Sequence, residues 1–454
     1  VHPYVRRRMG TEPVSYAHPK LVEPLERTLG IPVFQEQLMQ MAVAVGNCTP
    51  EDADLLRRAM GSKRGIERIE RLREKLYAGM AANGLTGEVA DDIYRKIQAF
   101  ANFGFAESHS LSFALLVYAS SWLKLHYPAA FLAALLRAQP MGFYSPASLI
   151  ADARRHGVEV LRPDIQRSGA DASLEPLDGS RYDSAPLNRS ASAHCLTRDQ
   201  PPVPPFDRDA PFSTDDHRQD ASHAVRLGLA SVRGIGASVA ASIVTERAER
   251  GEFRDMGDLV RRVGLSTSQL EALAAAGAFE SFGLSTREAL WQAGAAAQNR
   301  AEYLDGTTLT VQPPLFRLPS DAERLASDLW ATGVSTDDHP IRHTRDALTH
   351  RGVLTDLTTA ETGRRVEVAG LVTHRQRPAT ASGITFMNLE DETGLVNIVC
   401  SPGAWKRHRR TARESPALIV RGILERSPEG VINVVADRLE PLLVTAGTRS
   451  RDFQ

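Results

Sequence analysis

The sequence predicts a multidomain α+β protein, a mainly α-helical region followed by a small β-barrel. Three observations carry that prediction. Residues 1 to about 165 place apolar residues at helical spacing, and residues beyond about 366 alternate apolar and polar with turn signals every ~8–12 positions. Between them a polar, proline-rich stretch interrupts the pattern. At 454 residues the chain has room for about two to four cores.

The helical block opens with "VFQEQLMQMAVAV", where Phe34, Leu38, Met41 and Val45 recur at helical spacing and mark a core face. "TPEDADLLRRAMGSKRG" follows, with Thr49 as N-cap, acids in the first turn and Gly61 near the end. A charged helix is expected from about Ile66 to Asn83, and another near Val89 to Ala101. "FANFGFAESHSLSFALLVYASSWLKLHYP" then sets small polar residues and His109 at the mouth of a long apolar helix. Its Phe113, Val117, Trp122 and Leu123 read as core.

Residues 166–224 read as a Pro-rich polar linker without periodicity. "VRLGLASVRGIGASVAASIVTER" predicts a short helix, a Gly-Ile-Gly turn and a helix with Val239, Ala240 and Ile243 inward. "FRDMGDLVRRVGLSTSQLEALAAAGAFESFG" repeats the idea, so residues 225–285 read as a tandem helix-hairpin-helix. A connector is expected over 286–350. "VEVAGLVTHRQRP", "ITFMNLEDETGLVNIVC" and "PALIVRGILERSPEGVINVVADRLEPL" form the barrel of a 351–444 domain, followed by a tail at 445–454.

Charged residues make up 24% of the chain and the formal net charge is −1, so a nucleic-acid role has to come from local patches. Cys48, Cys195 and Cys400 are odd in number and far apart, which gives neither a disulfide framework nor a zinc spacing; a reducing, cytoplasmic interior is expected. No run approaches the ~20 apolar residues of a membrane span and no signal peptide opens the chain, so no membrane partner is expected. The sequence starts at Val1 inside an Arg-rich phrase and reads as the latter part of something longer.

Five patches carry chemistry, each with a plainer alternative. Arg57, Arg58 and Lys63 crowd cations where arginine forks suit a triphosphate; a solvated basic helix face is the competing reading. Gly104 and Phe105 followed by Ser108 and His109 put small residues and free N–H groups at a helix start, which favours an anion; a well-capped helix competes. Gly234, Ile235 and Gly236 form a turn whose amides would face DNA phosphates independently of base sequence; an ordinary helical hairpin competes. Arg375 and Arg377, with Lys406, Arg407, Arg409 and Arg410 beside Trp405, suit single-stranded nucleic acid on an oligonucleotide-binding barrel; a charged helix capping that barrel competes. In "QPPLF", Gln312, Leu315 and Phe316 read as a docking peptide, with packing onto a neighbouring domain as the alternative. "EDAD" at 51–54 and "EDE" at 390–392 read as helix-start and barrel-turn acids, so a two-metal carboxylate site is not expected in this chain.

"IPVFQEQLMQMA", "LLRRAMGSKR", "FGFAESHSLSFALLVYASSWLKLHYPAAF" and "LRPDI" resemble the fingers of bacterial C-family DNA polymerases, the polymerase III alpha-subunit family. "AQPMGFYSP", "ADARRHGVEVLRPD", "LVTHRQRPATASGITFMNLEDETG" and "SRDF" are similar to its error-prone branch. The resemblance implies that residues 1–165 are the fingers, with the helix-hairpin-helix and an OB-fold domain after them. It implies that Arg57 and Arg58 meet the triphosphate of an incoming deoxynucleotide and that Gly104, Phe105, Ser108 and His109 line its pocket. Ala106 and Glu107 stand where replicative members carry Asn-Lys, which removes a cation near the nucleotide. Magnesium would serve the complete polymerase through aspartates of a palm outside this chain. Primer–template DNA and mutasome-type accessory proteins are the implied partners; a sliding clamp is the partner the Gln312, Leu315 and Phe316 peptide would dock, although the error-prone branch usually reaches the clamp through another protein. The function expected is error-prone, translesion DNA synthesis; the alternatives are a non-catalytic DNA-binding protein and a hairpin-bearing repair nuclease.

Overall fold

A computed structural model of the chain describes residues 2–59, 65–99, 105–142, 144–177, 217–298, 317, 319–378, 381–427, 431–444 and 451–453. They divide into two compact units, Val1–Trp122 and Leu123–Gln454.

The first unit holds α1 (Pro3–Arg8), α2 (Val22–Leu25), α3 (Gln35–Gly46), α4 (Pro50–Ala59), α5 (Gly65–Glu70), α6 (Arg73–Ala82) and α7 (Glu88–Ala99), while α8 (Glu107–His126) runs from this unit into the next. Leu38, Met41 and Val45 face inward as their spacing requires and share a core with Leu56, Leu76, Met80, Ile93 and Ile97. Phe34 lies one residue before the helix, in extended conformation. Thr49 starts α4: its Oγ1 accepts the Asp52 N–H at 3.3 Å, and the Asp52 carboxylate accepts the Thr49 N–H at 2.8 Å. α3 meets α6 where Gly46 faces Gly79. A Cβ on Gly79 would lie 1.9 Å from the Gly46 carbonyl oxygen, so the two backbones come this close only because residue 79 is glycine.

Two expectations change here. The single helix over 66–83 is two, α5 and α6, separated at Arg71–Leu72, where Leu72 turns into the core at 6% exposure. α8 has no buried residue at all: Phe113 is 52% exposed, Val117 61% and Leu123 42%, with Trp122 half-buried. Apolar periodicity says which side chains avoid water; it does not say what lies against them.

The second unit begins with α9 (Pro128–Arg137) and α10 (Pro146–Arg155), then a small sheet of β1 (Val160–Leu161), β2 (Ser173–Pro176) and β3 (His223–Arg226) in the order β1-β3-β2. The edges of the expected linker are therefore folded, while residues 178–216 lie outside the described residues. Ser168 is fully buried, and the Asp220 carboxylate accepts the N–H groups of Ala129 and Ala130 at 2.7 and 3.0 Å, capping α9. Four-residue strands paired across a long gap leave no local pattern to read.

α11 (Gly236–Arg250), α12 (Met256–Val263), α13 (Thr267–Ala275) and α14 (Thr286–Ala296) follow. The helix expected before the Gly-Ile-Gly turn is instead β3 and a single 3-10 turn, Leu229–Ser231. Ala240 and Ile243 face inward as read, with Val239 packed beside them, and Ile165 joins their core. α15 (Asp321–Ala331) is tied back to the segment after β1 by Arg162, which donates to the Asp328 carboxylate at 2.9 Å. Burial outweighs that cation and pushes Asp328 up to about 6.

After α16 (Arg345–Arg351) come β4 (Arg365–Gln376), β5 (Thr385–Glu390), β6 (Leu395–Cys400), α17 (Pro402–Arg407), α18 (Arg409–Glu414), β7 (Ala417–Arg426), β8 (Ile432–Pro441) and β9 (Arg451–Phe453). The order β5-β6-β8-β7-β4 closes through a β4–β5 pairing, and β9 adds to β4. This is the five-stranded closed barrel of the OB-fold, with α17 and α18 plugging one end through buried Ala404 and Ala412.

Candidate nucleotide and DNA interface

Two clusters belong to the first unit. Arg57 and Arg58 are brought together on one acid, the Asp54 carboxylate, which receives Arg57 at 2.7 Å and Arg58 at 2.6 Å. The Arg57 guanidinium holds that carboxyl below its usual range. Both arginines remain more than half exposed, so an oxyanion of higher charge has access to the pair. Asp54 is the residue that sequence reading missed; its position at i−3 and i−4 to the two arginines is the signal that would have found it.

The second cluster is the mouth of α8. The His109 ring stands between Phe105 at 5.2 Å and Phe113 at 4.4 Å, an exposed ladder along one side of the helix. Ser108 and His109 lie in the first turn, since the helix starts at Glu107. The helix start is not left open as expected. Glu36 accepts the Glu107 N–H at 2.9 Å, the Phe105 carbonyl accepts the Gln35 N–H at 3.0 Å, and the Glu107 carboxylate binds Arg27 at 2.6 and 3.0 Å. A protein carboxylate thus fills part of the positive helix end, and the first-turn amides of Ser108 and His109 are what remains. Lys63 and Gly104 lie outside the described residues, as do Gln312, Leu315 and Phe316.

The hairpin turn is built differently. Gly234 and Gly236 have φ of +75° and +62°, a backbone only glycine enters without strain, and both are exposed with open space where a Cβ would stand. Ile235 between them is 2% exposed and its N–H is donated to Val232, so it anchors the turn and cannot be a DNA contact as expected. α11 starts here without a side-chain cap, whereas Ser145, Asp255, Ser266, Ser285 and Ser320 cap α10 and α12 to α15. The leading amides of α11 therefore face outward. Gln269 holds the turn from α13: its Nε2 donates to the Gly234 carbonyl at 3.1 Å while its Oε1 accepts the Ser266 N–H at 3.0 Å. Sequence reading missed Gln269, because nothing local links residues 234 and 269.

On the barrel one expected contact is withdrawn. Arg375 is 6% exposed and donates to the carbonyls of Ala412 and Ser415, both at 2.6 Å, so it ties α18 to β4 and cannot reach a phosphate. Arg377, Lys406, Arg407 and Arg409 are exposed. Arg410 is paired with Glu414 at 3.1 Å on open surface, a weak tie. The helices that carry Lys406 to Arg410 do cap the barrel, as the plainer reading held, and they still present cations outward. A cleft of about 630 Å³ opens between α9, α10 and the barrel face of β4 to β6, lined by Phe131, Tyr144, His374, Phe386, Asn388 and Leu395. Its exposed rings, Tyr144 and Phe386, suit stacked, unpaired bases.

Three family models match the chain. One is described as the bacterial DNA polymerase III alpha subunit finger domain and covers residues 1–84; a helix-hairpin-helix motif covers 157–290; an OB-fold nucleic acid binding domain covers 366–442. A curated relative from Cutibacterium acnes, described as an error-prone DNA polymerase, is 58% identical over 459 residues, 100% of this chain and 40% of the relative. Relatives of the same description from Mycobacterium tuberculosis and Nocardia farcinica are 50% and 51% identical over 100% of the chain and 38% and 37% of their own length. Over its whole length the chain is similar to proteins described as error-prone DNA polymerases. It spans about two-fifths of the length of these relatives. The helix-hairpin-helix match begins at 157 and so takes in β1 to β3, in keeping with Ile165 and Leu229 sharing the hairpin core.

Proposed function

We propose that this chain supplies the nucleotide-facing and DNA-holding parts of an error-prone DNA polymerase acting in translesion synthesis and DNA-damage tolerance in the bacterial cytoplasm. Within the family, the observation that carries the reading is the Gly234–Gly236 turn, an uncapped helix start held open by positive-φ glycines. Its amides take backbone phosphates of primer–template DNA without reading bases. The cations at Arg377 and Lys406 to Arg409 extend the path, and the β4 to β6 cleft takes unpaired template bases. Arg57 and Arg58 exchange Asp54 for the triphosphate of a deoxynucleotide, and Phe105, Ser108 and His109 line its other side. Accessory proteins of damage tolerance, with the sliding clamp, complete the partners this role implies.

Magnesium would neutralise the reacting phosphates in the complete polymerase. The acids described here do not fit that centre. Asp52 is engaged by Thr49 and Lys75, Glu390 faces Arg155, and Asp391 with Glu392 holds Arg345. Among the described residues no group of three or more His, Cys, Asp or Glu is set to hold a metal. No step of phosphoryl transfer is assigned to this chain's residues, which bind and orient.

The hold of Asp54 on the arginines and of Glu36 on α8 favours a second reading, DNA binding without nucleotide recognition. Equilibrium dialysis with labelled dATP and primer–template DNA separates the two. The polymerase reading expects saturable dATP binding that Arg57→Ala weakens roughly thirty- to a hundredfold, the loss of one charge-assisted phosphate contact. DNA binding with no dATP binding leaves the second reading. Primer extension by this chain alone, free of contaminating polymerase, would contradict the assignment of catalysis to residues outside it.

A further inference from the structure

Trp330 lies in the last turn of α15 with half its surface exposed, and the Arg233 guanidinium lies 5.1 Å from its ring centre. Arg233 directly precedes the Gly234–Gly236 turn, and its backbone N–H is donated to the Ala331 carbonyl at 2.7 Å. α15 thus fixes this arginine twice, by main chain through Ala331 and by side chain through Trp330. Other arginines of the same unit, Arg162, Arg167, Arg226 and Arg262, are each paired with an acid. Arg233 has no carboxylate partner among the described residues. An indole face restrains a guanidinium through the ring quadrupole without neutralising its charge.

We propose that Arg233 is a phosphate-contacting residue of the hairpin, and that Trp330, in the segment expected only to connect domains, is its positioning residue. The inference rests on the reading of the hairpin as a DNA contact. The ligand is the sugar-phosphate backbone, whatever its base sequence. Helix-start amides are neutral donors and release no counterion when they bind. A guanidinium held beside them adds a charge-assisted, forked contact and the release of about one counterion. Salt dependence therefore separates the contribution of Arg233 from that of the turn.

The test is fluorescence anisotropy of the whole chain on two unrelated primer–template DNAs across a salt series, with circular dichroism to confirm folding. Arg233→Gln is expected to weaken binding roughly tenfold for both DNAs and to lower the salt slope by about one, while Arg233→Lys keeps the slope. Trp330→Leu should weaken binding about threefold, Trp330→Phe should restore it, and Trp330→Leu should cost nothing further once Arg233 is Gln. Parent-like affinity and slope for Arg233→Gln would overturn the phosphate contact. Additive losses in the double variant would overturn the positioning role, since Trp330 would then act on DNA or on folding by itself. A Gly234→Val/Gly236→Val chain run in parallel keeps the premises apart. Loss of binding there, with none in Arg233→Gln, sinks this proposal alone; parent-like binding in both sinks the hairpin reading with it.

Discussion

The starts of α8 and α11 both carry the features that make a helix N-terminus attractive to anions, and the protein treats them oppositely. At α8 the first amide goes to Glu36, the preceding carbonyl to Gln35, and Glu107 to Arg27. At α11 two glycines with positive φ hold the amides outward, and no side chain caps them. A dipole end that receives a carboxylate from its own fold is a joint between helices. One that is left uncapped, on a turn braced from behind by Gln269, is available to a phosphate. The lesson is that small polar residues at a helix start cannot be read as a ligand site until the local acids have been placed.

The comparison breaks most visibly at the glycines. Gly234→Val/Gly236→Val should weaken DNA binding roughly thirty- to a hundredfold with circular dichroism unchanged, because β-branched residues reject this φ and the turn amides rotate away. Anisotropy on primer–template DNA measures it, and a folded variant binding like the parent would remove the hairpin from the interface.

The frame behind the hairpin is tested by pH. Asp328 rises from an ordinary 3.8 to about 6 through burial, so between those values the folded chain holds a proton that the unfolded chain has lost. Stability from this group is therefore fully present below about pH 4 and is lost as pH rises through 6, a fall of about 3 kcal/mol in all that levels off near pH 7. Asp328→Asn should lack that fall. Urea midpoints followed by tryptophan fluorescence at pH 4, 5, 6 and 7 compare the two chains, and equal slopes would contradict the assignment.

At α8, Glu36→Ala should cost about 1 kcal/mol, the usual worth of a capping acceptor. Hydrogen exchange should rise at the start of α8 while DNA affinity stays that of the parent. A fall in DNA affinity without loss of protection would mean that Glu36 serves a ligand and that the joint reading is wrong.

The smallest effect is expected from Gln269→Ala. It removes the brace on the Gly234 carbonyl but no charge, so binding should weaken roughly threefold with an unchanged salt slope. A shallower slope would show that Gln269 acts through a charged group and not through the turn.

The sequence by itself determined the order of parts and most of their inner faces. Leu38, Met41 and Val45 on α3 and Ala240 and Ile243 on α11 went where their periodicity pointed, as did Val366, Val368 and Val372 toward the barrel interior, although Ala369, Leu371, Ala417 and Ile419 on the other faces of β4 and β7 are buried too; local spacing sets which side of an element can be buried. The glycines at 234 and 236 were legible for the same reason: a backbone need is written in the residue itself. Only the tertiary structure decided who meets whom. It turned Arg375 inward to the carbonyls of Ala412 and Ser415, brought Gln269 and Trp330 to the hairpin, and paired β2 with β3 across residues 178–216. Most of those pairings join residues far apart in the chain, so their energies depend on chain path and not on spacing, and no local pattern encodes them. The exposed length of α8 is the same lesson in reverse: its apolar residues announce a need for cover, and only the three-dimensional arrangement says whether this chain provides it.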